Sequence, residues 1–403
     1  MQEACSTPPT VKYVPTKAKT QWAAVFVRAL AAAVHFNTME AWTEFAMLPG
    51  CVLCPPPVSN KLSSADMAAF TLDRISRWQA GERATLWADR PPAKKGGAST
   101  AAQNEAKRFL RAESLCREGL LGKACAALGE NDLCRPSPQV WELLKDLHPG
   151  MPLPQPLNTS TLPSAPLFCA ADIDKALRSF PKGTGAGPSG LRAQHIVDAL
   201  TNTSKEAVLS QLTEAVNWLS AAHAPPEVAA YLGGAHLVAF RKKTGGVRPI
   251  AVGEVMRRLV AKCLCESVKT SAIKSLWPLQ AGCGSKLGAE SAVHVARQWC
   301  ERHALNQHKV ALRLDFANAF NCVSREAMLA AVIARAPELS RWAHFCYSNP
   351  VDLKFGSWNV KSETGVHQGD PLGALFFSLA IQPLLEELAT LGLDLCLFYL
   401  DDG

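Results

Sequence analysis

Leu395-Cys396-Leu397-Phe398-Tyr399-Leu400-Asp401-Asp402 runs six apolar or aromatic residues straight into two adjacent carboxylates. A continuous apolar run of this length reads as a strand buried in a sheet, with its terminal acids emerging at the sheet's edge. Ala311-Leu312-Arg313-Leu314-Asp315 repeats the arrangement some eighty residues upstream. Two such strands side by side bring their acids together. Gathered carboxylates repel, and one takes up a proton unless cations bind. Magnesium relieves that conflict, since it prefers carboxylate oxygens and keeps coordination sites for other oxygen ligands. An Asp-Asp-Gly after a strand is, taken alone, as readily a turn. The segments around it decide between the two.

Outward from these strands, the charge is unevenly spread. The chain of 403 residues carries a net +7, yet residues 241–313 hold fourteen Lys or Arg against four Asp or Glu, and residues 314–403 hold five against eleven. A basic block before an acidic one suits a chain that grips a polyanion with one element and metal ions with the next. Residues 235–241 and 247–252 alternate as strands about Lys242-Lys243-Thr244-Gly245-Gly246, a hairpin signal with a Gly-Gly turn. Helices are expected over 254–270 and 287–304, and a second hairpin over 351–355 and 359–366. Asp370 reads as the N-cap of a helix with Pro371 at its first position.

Further upstream lies Lys182-Gly183-Thr184-Gly185-Ala186-Gly187-Pro188-Ser189-Gly190. It lacks the Lys-Ser or Lys-Thr of a P-loop and the preceding strand of a dinucleotide fingerprint, so it reads as a tight turn into the helix at 191–200. Another helix is expected at 171–180. A Pro-rich linker, residues 148–168, separates this part from a mostly helical N-terminal region, residues 1–147, with helices over 22–36, 64–79 and 101–128. Cys51-Val52-Leu53-Cys54 is a CxxC with no second pair following at zinc-site spacing, and the fourteen cysteines read as reduced thiols. With 48% hydrophobic and 19% charged residues the composition is that of a globular chain. Neither a bilayer-spanning run nor a secretory signal is read in it.

Taken together, Arg313-Leu314-Asp315-Phe316-Ala317-Asn318-Ala319-Phe320-Asn321-Cys322-Val323, Gly365-Val366-His367-Gln368-Gly369-Asp370-Pro371-Leu372-Gly373 and Phe398-Tyr399-Leu400-Asp401-Asp402 resemble, in order and spacing, the palm motifs of reverse transcriptases. They look most like those of non-LTR (LINE-like) retrotransposons. The basic hairpin with Arg248-Pro249-Ile250 is similar to the fingers of that family, and 182–191 to its N-terminal segment. The resemblance spans about residues 170–403.

The resemblance implies an α+β chain: right-hand polymerase fingers and palm over 169–403, with an incomplete palm and no thumb, preceded by the helical N-terminal region. It implies RNA-directed DNA synthesis on an RNA template and a DNA primer, from deoxynucleoside triphosphates, with two magnesium ions or manganese in their stead. Asp315 and Asp401 would hold both metals, Asp402 assisting, with the Phe316 carbonyl as a further ligand. Phe320 would be the gate that excludes a 2′-hydroxyl. Lys243, or Lys242 in its stead, and Arg248 would contact the incoming triphosphate, a task suited to a point charge and a forked guanidinium. Gln368 and Gly369 would meet the nucleotide and template. An origin in a retrotransposon implies nuclear residence, with no membrane partner. Since the family continues past its Asp pair, the 403 residues alone are expected to polymerise poorly or not at all. The competing readings are a non-catalytic nucleic-acid-binding remnant and, more remotely, another palm-type metal enzyme such as a nucleotide cyclase.

Overall fold

The structure, a computed structural model, describes residues 8–57, 63–91, 101–119, 121–128, 133–155, 157–242 and 245–403. Most of it is helical, around one small sheet. The helix Lys19–Phe36 buries Trp22, Phe26, Leu30 and Ala33 along one stripe, the three-and-four spacing of an amphipathic helix, and ends at Asn37 in the left-handed conformation. Met39–Val52 follows at once, its Thr38 side chain accepting the Ala41 N–H. Ser64–Gln79 opens on a capping box between Ser63 and Asp66. The helix Lys205–Ser220 contributes Val208, Leu212, Ala215 and Leu219. With Val255–Ser267, Arg325–Arg335, Ser340–Tyr347 and Gly373–Ala389, these helices enclose one apolar core that runs from Val14 to Leu379.

The sheet has the order β2-β1-β3-β4. Strands β1 (Ala235–Arg241) and β2 (Val247–Gly253) form the expected antiparallel hairpin. Strands β3 (Val351–Phe355) and β4 (Trp358–Ser362) form the second, and β1 joins β3 in parallel through a short register at Ala235 and His236. One face covers a second core in which Leu144 of the Pro138–Asp146 helix sits on Leu237, Ala239, Leu353 and Val360. Trp141 of that helix stacks on Trp358 and donates its indole N–H to the Asn359 carbonyl at 3.1 Å. No helix among the described residues is long and apolar enough to cross a membrane.

Several expectations need correction. The stretch read as one helix over 101–128 is two, Ala101–Arg117 and Leu121–Leu128, divided where Gly119 takes a positive φ. Asp370 stands two residues before the N-cap of Gly373–Ala389, where its Oδ1 accepts the Leu372 N–H at 3.0 Å. The larger departure concerns the two apolar runs that end in acids. Neither is a regular strand: Leu312 is 79% exposed and Tyr399 39%. An apolar run becomes a buried strand only where backbone partners lie on its flanks. Here just the last few residues of each run find them.

Candidate active site

Those last few residues are where the acids meet. Leu314 and Gly403 exchange two backbone hydrogen bonds, Leu314 N–H to Gly403 O at 2.7 Å and Gly403 N–H to Leu314 O at 2.9 Å, and Phe316 N–H reaches Asp401 O at 3.4 Å. Between them Asp315 stands opposite Asp402 in an antiparallel bridge. Residues paired opposite one another at such a position have their side chains on one face, with Cα atoms roughly 4.5 Å apart. The chain reverses through a two-residue turn closed by Tyr399 N–H to Asp402 O at 2.7 Å and Asp402 N–H to Tyr399 O at 3.2 Å. Leu400 and Asp401 are its central residues, and Leu400 takes a φ of +58°. Positive φ at the first central residue alone is the II′ pattern, which normally calls for glycine.

Asp315 and Asp402 are exposed and Asp401 half-buried. Arg313 lies 3.5 Å from Asp402 through its guanidinium, on the same solvent-facing side. Among the described residues no three of His, Cys, Asp or Glu are gathered closely enough to hold a metal ion. The ladder thus pairs two of the three expected acids directly, and the third is the neighbouring residue in the turn. As hard oxygen donors, the three are of the type that suits magnesium. Beneath them Phe316 stacks on buried Phe398, with ring centroids 6.2 Å apart.

Phe320 lies in the short helix Ala319–Cys322 and stacks on Phe377, ring centroids 4.9 Å apart and planes 12° from parallel. Its carbonyl accepts the Val366 N–H at 2.7 Å. Gly365 makes that approach feasible: a Cβ on it would fall 2.4 Å from Phe320 O, and its φ is +69°. The 365–370 loop also reaches the hairpin, since Ala251 of β2 donates its N–H to Gln368 O at 2.8 Å. Gly369, at φ +125°, would put a Cβ 2.4 Å from the Ala251 carbonyl. One loop therefore ties the Phe320 helix to β2, and Gln368 and Gly369 stand at the junction. Arg248 is exposed on β2, opposite Phe240 of β1. Lys242 is exposed at the start of the hairpin loop, where Gly245 and Gly246 take positive φ. Lys243 lies outside the described residues.

Sequence reasoning missed what supports this loop. Arg257, inside the Val255–Ser267 helix, is buried and donates to Asp370 Oδ2 at 2.8 Å, to Gly233 O at 2.8 Å and to His367 Nδ1 at 3.3 Å. Tyr347 donates to the same Asp370 oxygen at 2.8 Å. Burial disfavours the Arg257 charge, but the Asp370 carboxylate outweighs it and holds the guanidinium above its ordinary value. Burial, then the charges of Arg257 and Arg325, push His367 well below the ordinary imidazole value, so a neutral ring accepts from Arg257 and shares a bond with Ser362 Oγ at 3.1 Å. The available signal was Arg257-Arg258 within the apolar run 255–264, a position where charge needs a buried partner.

The glycine-rich loop is bound to the fold by its own main chain. Buried Glu254 accepts the Ser189 N–H, the Ser189 hydroxyl at 2.8 Å and the Tyr231 hydroxyl at 3.0 Å, and burial raises its carboxyl above the ordinary value. Gly187 fits because a Cβ there would fall 2.6 Å from Glu254 Cα. Cys51 and Cys54 are buried thiols of the N-terminal helices, and burial pushes Cys51 up to about 12.

Compared with known proteins, residues 240–403 match the family described as reverse transcriptase (RNA-dependent DNA polymerase). The retrotransposable element SLACS 132 kDa protein of Trypanosoma brucei gambiense is 25% identical over 250 residues, 60% of this chain and 20% of that protein. The chain thus spans about a fifth of the length of the curated relative it matches. The family match begins at the end of β1 and takes in β2, the 365–370 loop and all three aspartates. Over residues 240–403 the chain is therefore similar to reverse transcriptases, and over a longer stretch to a protein of a retrotransposable element.

Proposed function

We propose that this chain copies RNA into DNA by adding deoxynucleotides to a primer 3′ end, with Asp315, Asp401 and Asp402 as the acids that hold two divalent cations. The observation that carries the reading is the backbone pairing of Leu314–Phe316 with Asp401–Gly403, which sets Asp315 opposite Asp402. The Phe316 carbonyl is a further oxygen donor. When bound, the cations supply activation of the attacking hydroxyl and charge stabilisation of the leaving pyrophosphate. The protein's own tasks are to hold and orient. Lys243 and Arg248 bind the triphosphate, Phe320 stands under the sugar and refuses a 2′-hydroxyl, and Gln368 with Gly369 brackets the nascent pair. The template RNA and primer lie along the basic block of residues 241–313, whose long-range attraction for phosphate is independent of sequence. Nuclear residence follows from the proposed life of the chain in a retrotransposon.

Primer extension on an RNA template with magnesium tests the reading, comparing the protein expressed from its full reading frame with its Asp401→Ala variant. Extension by the first and its loss in the second support it; equal extension by both removes the catalytic assignment. Retention of primer-template without extension by either favours the non-catalytic nucleic-acid-binding reading instead.

A further inference from the structure

The turn that carries Asp401 is held from outside by one side chain. Gln280 follows the Lys269–Leu276 helix and is wholly buried, 0% exposed. Its amide oxygen accepts the Leu400 N–H at 2.7 Å, and its amide nitrogen donates to the Leu400 carbonyl at 3.1 Å. The same oxygen accepts the Gly282 N–H at 2.9 Å, which fixes which end of the amide faces which partner. A single carboxamide thus satisfies both backbone groups of one turn residue, as a neighbouring strand would. Main-chain bonds continue the seam: Phe398 N–H to Leu279 O and Ala281 N–H to Phe398 O, both at 2.7 Å. Gly282 admits the close approach, since a Cβ there would lie 2.5 Å from Leu400 N and 2.7 Å from Leu400 Cγ.

Leu400 needs such a partner. Left-handed backbone is unfavourable for a residue with a Cβ, and it persists only where the surroundings over-determine it. Released from Gln280, the turn relaxes toward ordinary φ, and Asp401, the next residue along the chain, moves with it. The distance over which this must matter is small, because a misplacement of about 1 Å in a catalytic constellation costs on the order of 100-fold in rate.

We propose that Gln280 is a positioning residue that fixes the Leu400 turn, and through it the Asp401 carboxylate; this rests on the reading of the three aspartates as cation-binding acids. Gln280 touches no reacting atom. Its amide sets the main chain from which the acid projects, with Gly282 as the clearance that lets it do so. Three substitutions separate the elements of the idea. Gln280→Met keeps length and loses all three bonds. Gln280→Glu keeps shape but turns an oxygen toward the Leu400 carbonyl. Gly282→Ala leaves the amide intact and displaces the turn by volume alone.

The test uses the protein expressed from its full reading frame and three readouts: amide hydrogen exchange over residues 398–403, Mn2+ affinity by electron paramagnetic resonance titration, and steady-state primer extension. All three variants are expected to speed exchange at Leu400 to Asp402 by about tenfold or more, while exchange at Leu212 to Val216 in the main core stays unchanged. Mn2+ affinity is expected to fall about tenfold, the size of effect that supporting residues have on metal sites. The extension kcat is expected to fall about 100-fold with the dNTP KM within about twofold. Unaltered exchange over 398–403 in Gln280→Met and Gln280→Glu overturns the inference. So does faster exchange with wild-type Mn2+ affinity, because the turn then moves without moving the acids. If Asp401→Ala binds Mn2+ as the wild type does, the cation-binding reading fails on its own, and the exchange data still decide whether Gln280 holds the turn. A Gln280→Met chain that exchanges rapidly throughout has unfolded, and Gln280→Glu is then the deciding variant.

Discussion

Asp370 shows how far a single residue can be read and where the reading stops. From Asp370-Pro371 a helix cap was legible, and its Oδ1 does accept the Leu372 N–H near that helix start. Its other oxygen takes Arg257 and Tyr347, contacts reaching 113 and 23 residues away that no local pattern announces. Asp315 and Asp401 were visible because an apolar run ending in acid is unusual within a few residues. Gln280 was invisible because its partner is main chain 120 residues later. Breaking one half of a buried ion pair leaves the other charge stranded, which costs about 3–5 kcal/mol. Asp370→Asn is therefore expected to destabilise the chain by that order in urea denaturation, with Arg257 the stranded charge. Phe320 yields a second prediction. Its ring stacks on Phe377 and its main chain is tied by the Val366 N–H, which suits the proposed role under the sugar. Phe320→Ala is expected to raise ribonucleotide incorporation relative to deoxynucleotide by about tenfold or more in single-nucleotide extension. An unchanged ratio would discredit the sugar gate.

Among the elements, the hairpins were legible and the acid-bearing runs only in part. Alternating segments about a loop that ends in Gly-Gly nearly dictate β1 and β2, and both glycines take positive φ where the loop re-enters the hairpin. The runs at 310–316 and 393–400 carry the composition of strands, but composition supplies no partner. Their pairing is confined to Leu314–Phe316, Asp401–Gly403 and the seam at Leu279–Ala281. The N-terminal segment was harder still, since its attachment uses scattered polar contacts. Thr10 donates to Gly190 O at 2.8 Å, Val14 N–H reaches Asp198 Oδ2 at 2.9 Å, and Lys19 bonds Asp198 Oδ1 at 2.8 Å. His195 closes this clasp: Nε2 donates to Val11 O at 2.7 Å while Nδ1 accepts the Arg192 N–H at 3.2 Å. A proton on Nδ1 would face that N–H, donor against donor. Burial accordingly holds His195 down to about 4, from an ordinary 6.5. A group whose value is depressed on folding lends stability above its unfolded value and loses it as pH falls toward the folded one. The loss here runs from pH 6.5 to about 4 and amounts to about 3 kcal/mol. Glu254, raised by burial, has the opposite sign, favouring the fold at low pH and withdrawing support as pH rises. The two are separated by substitution: His195→Asn should flatten the fall of Tm between pH 6.5 and 4, leaving the Glu254 contribution in place. A slope unchanged by that substitution would show that the clasp does not titrate through His195.

At the scale of the whole molecule, the Pro-rich stretch 148–168 suggests a division that the apolar core does not observe. Trp22, Phe26 and Leu30 of the N-terminal helices belong to the same buried cluster as Leu212, Val216 and Ile196 from beyond the stretch. Trp22 also donates its indole N–H to the His195 carbonyl at 2.9 Å. The segment between them is itself engaged, with Cys134 N–H on Ala239 O at 2.8 Å and Leu144 beneath the sheet. Sequence periodicity reports that a helix has an apolar face and is silent on which element covers it, so a shared core is not legible from composition or linkers. Each large apolar side chain removed from water stabilises by about 1.5–3 kcal/mol, and the three named here together approach the whole stability of an ordinary domain. A chain beginning at residue 169 would present the partners of Trp22, Phe26 and Leu30 to solvent. It is expected to aggregate or to lack cooperative thermal unfolding, and to regain both solubility and a single transition when residues 1–147 are co-expressed as a separate chain. If the 169–403 chain instead unfolds cooperatively, at the same Tm as the full chain, the N-terminal helices are an appendage to it and contribute nothing to its core.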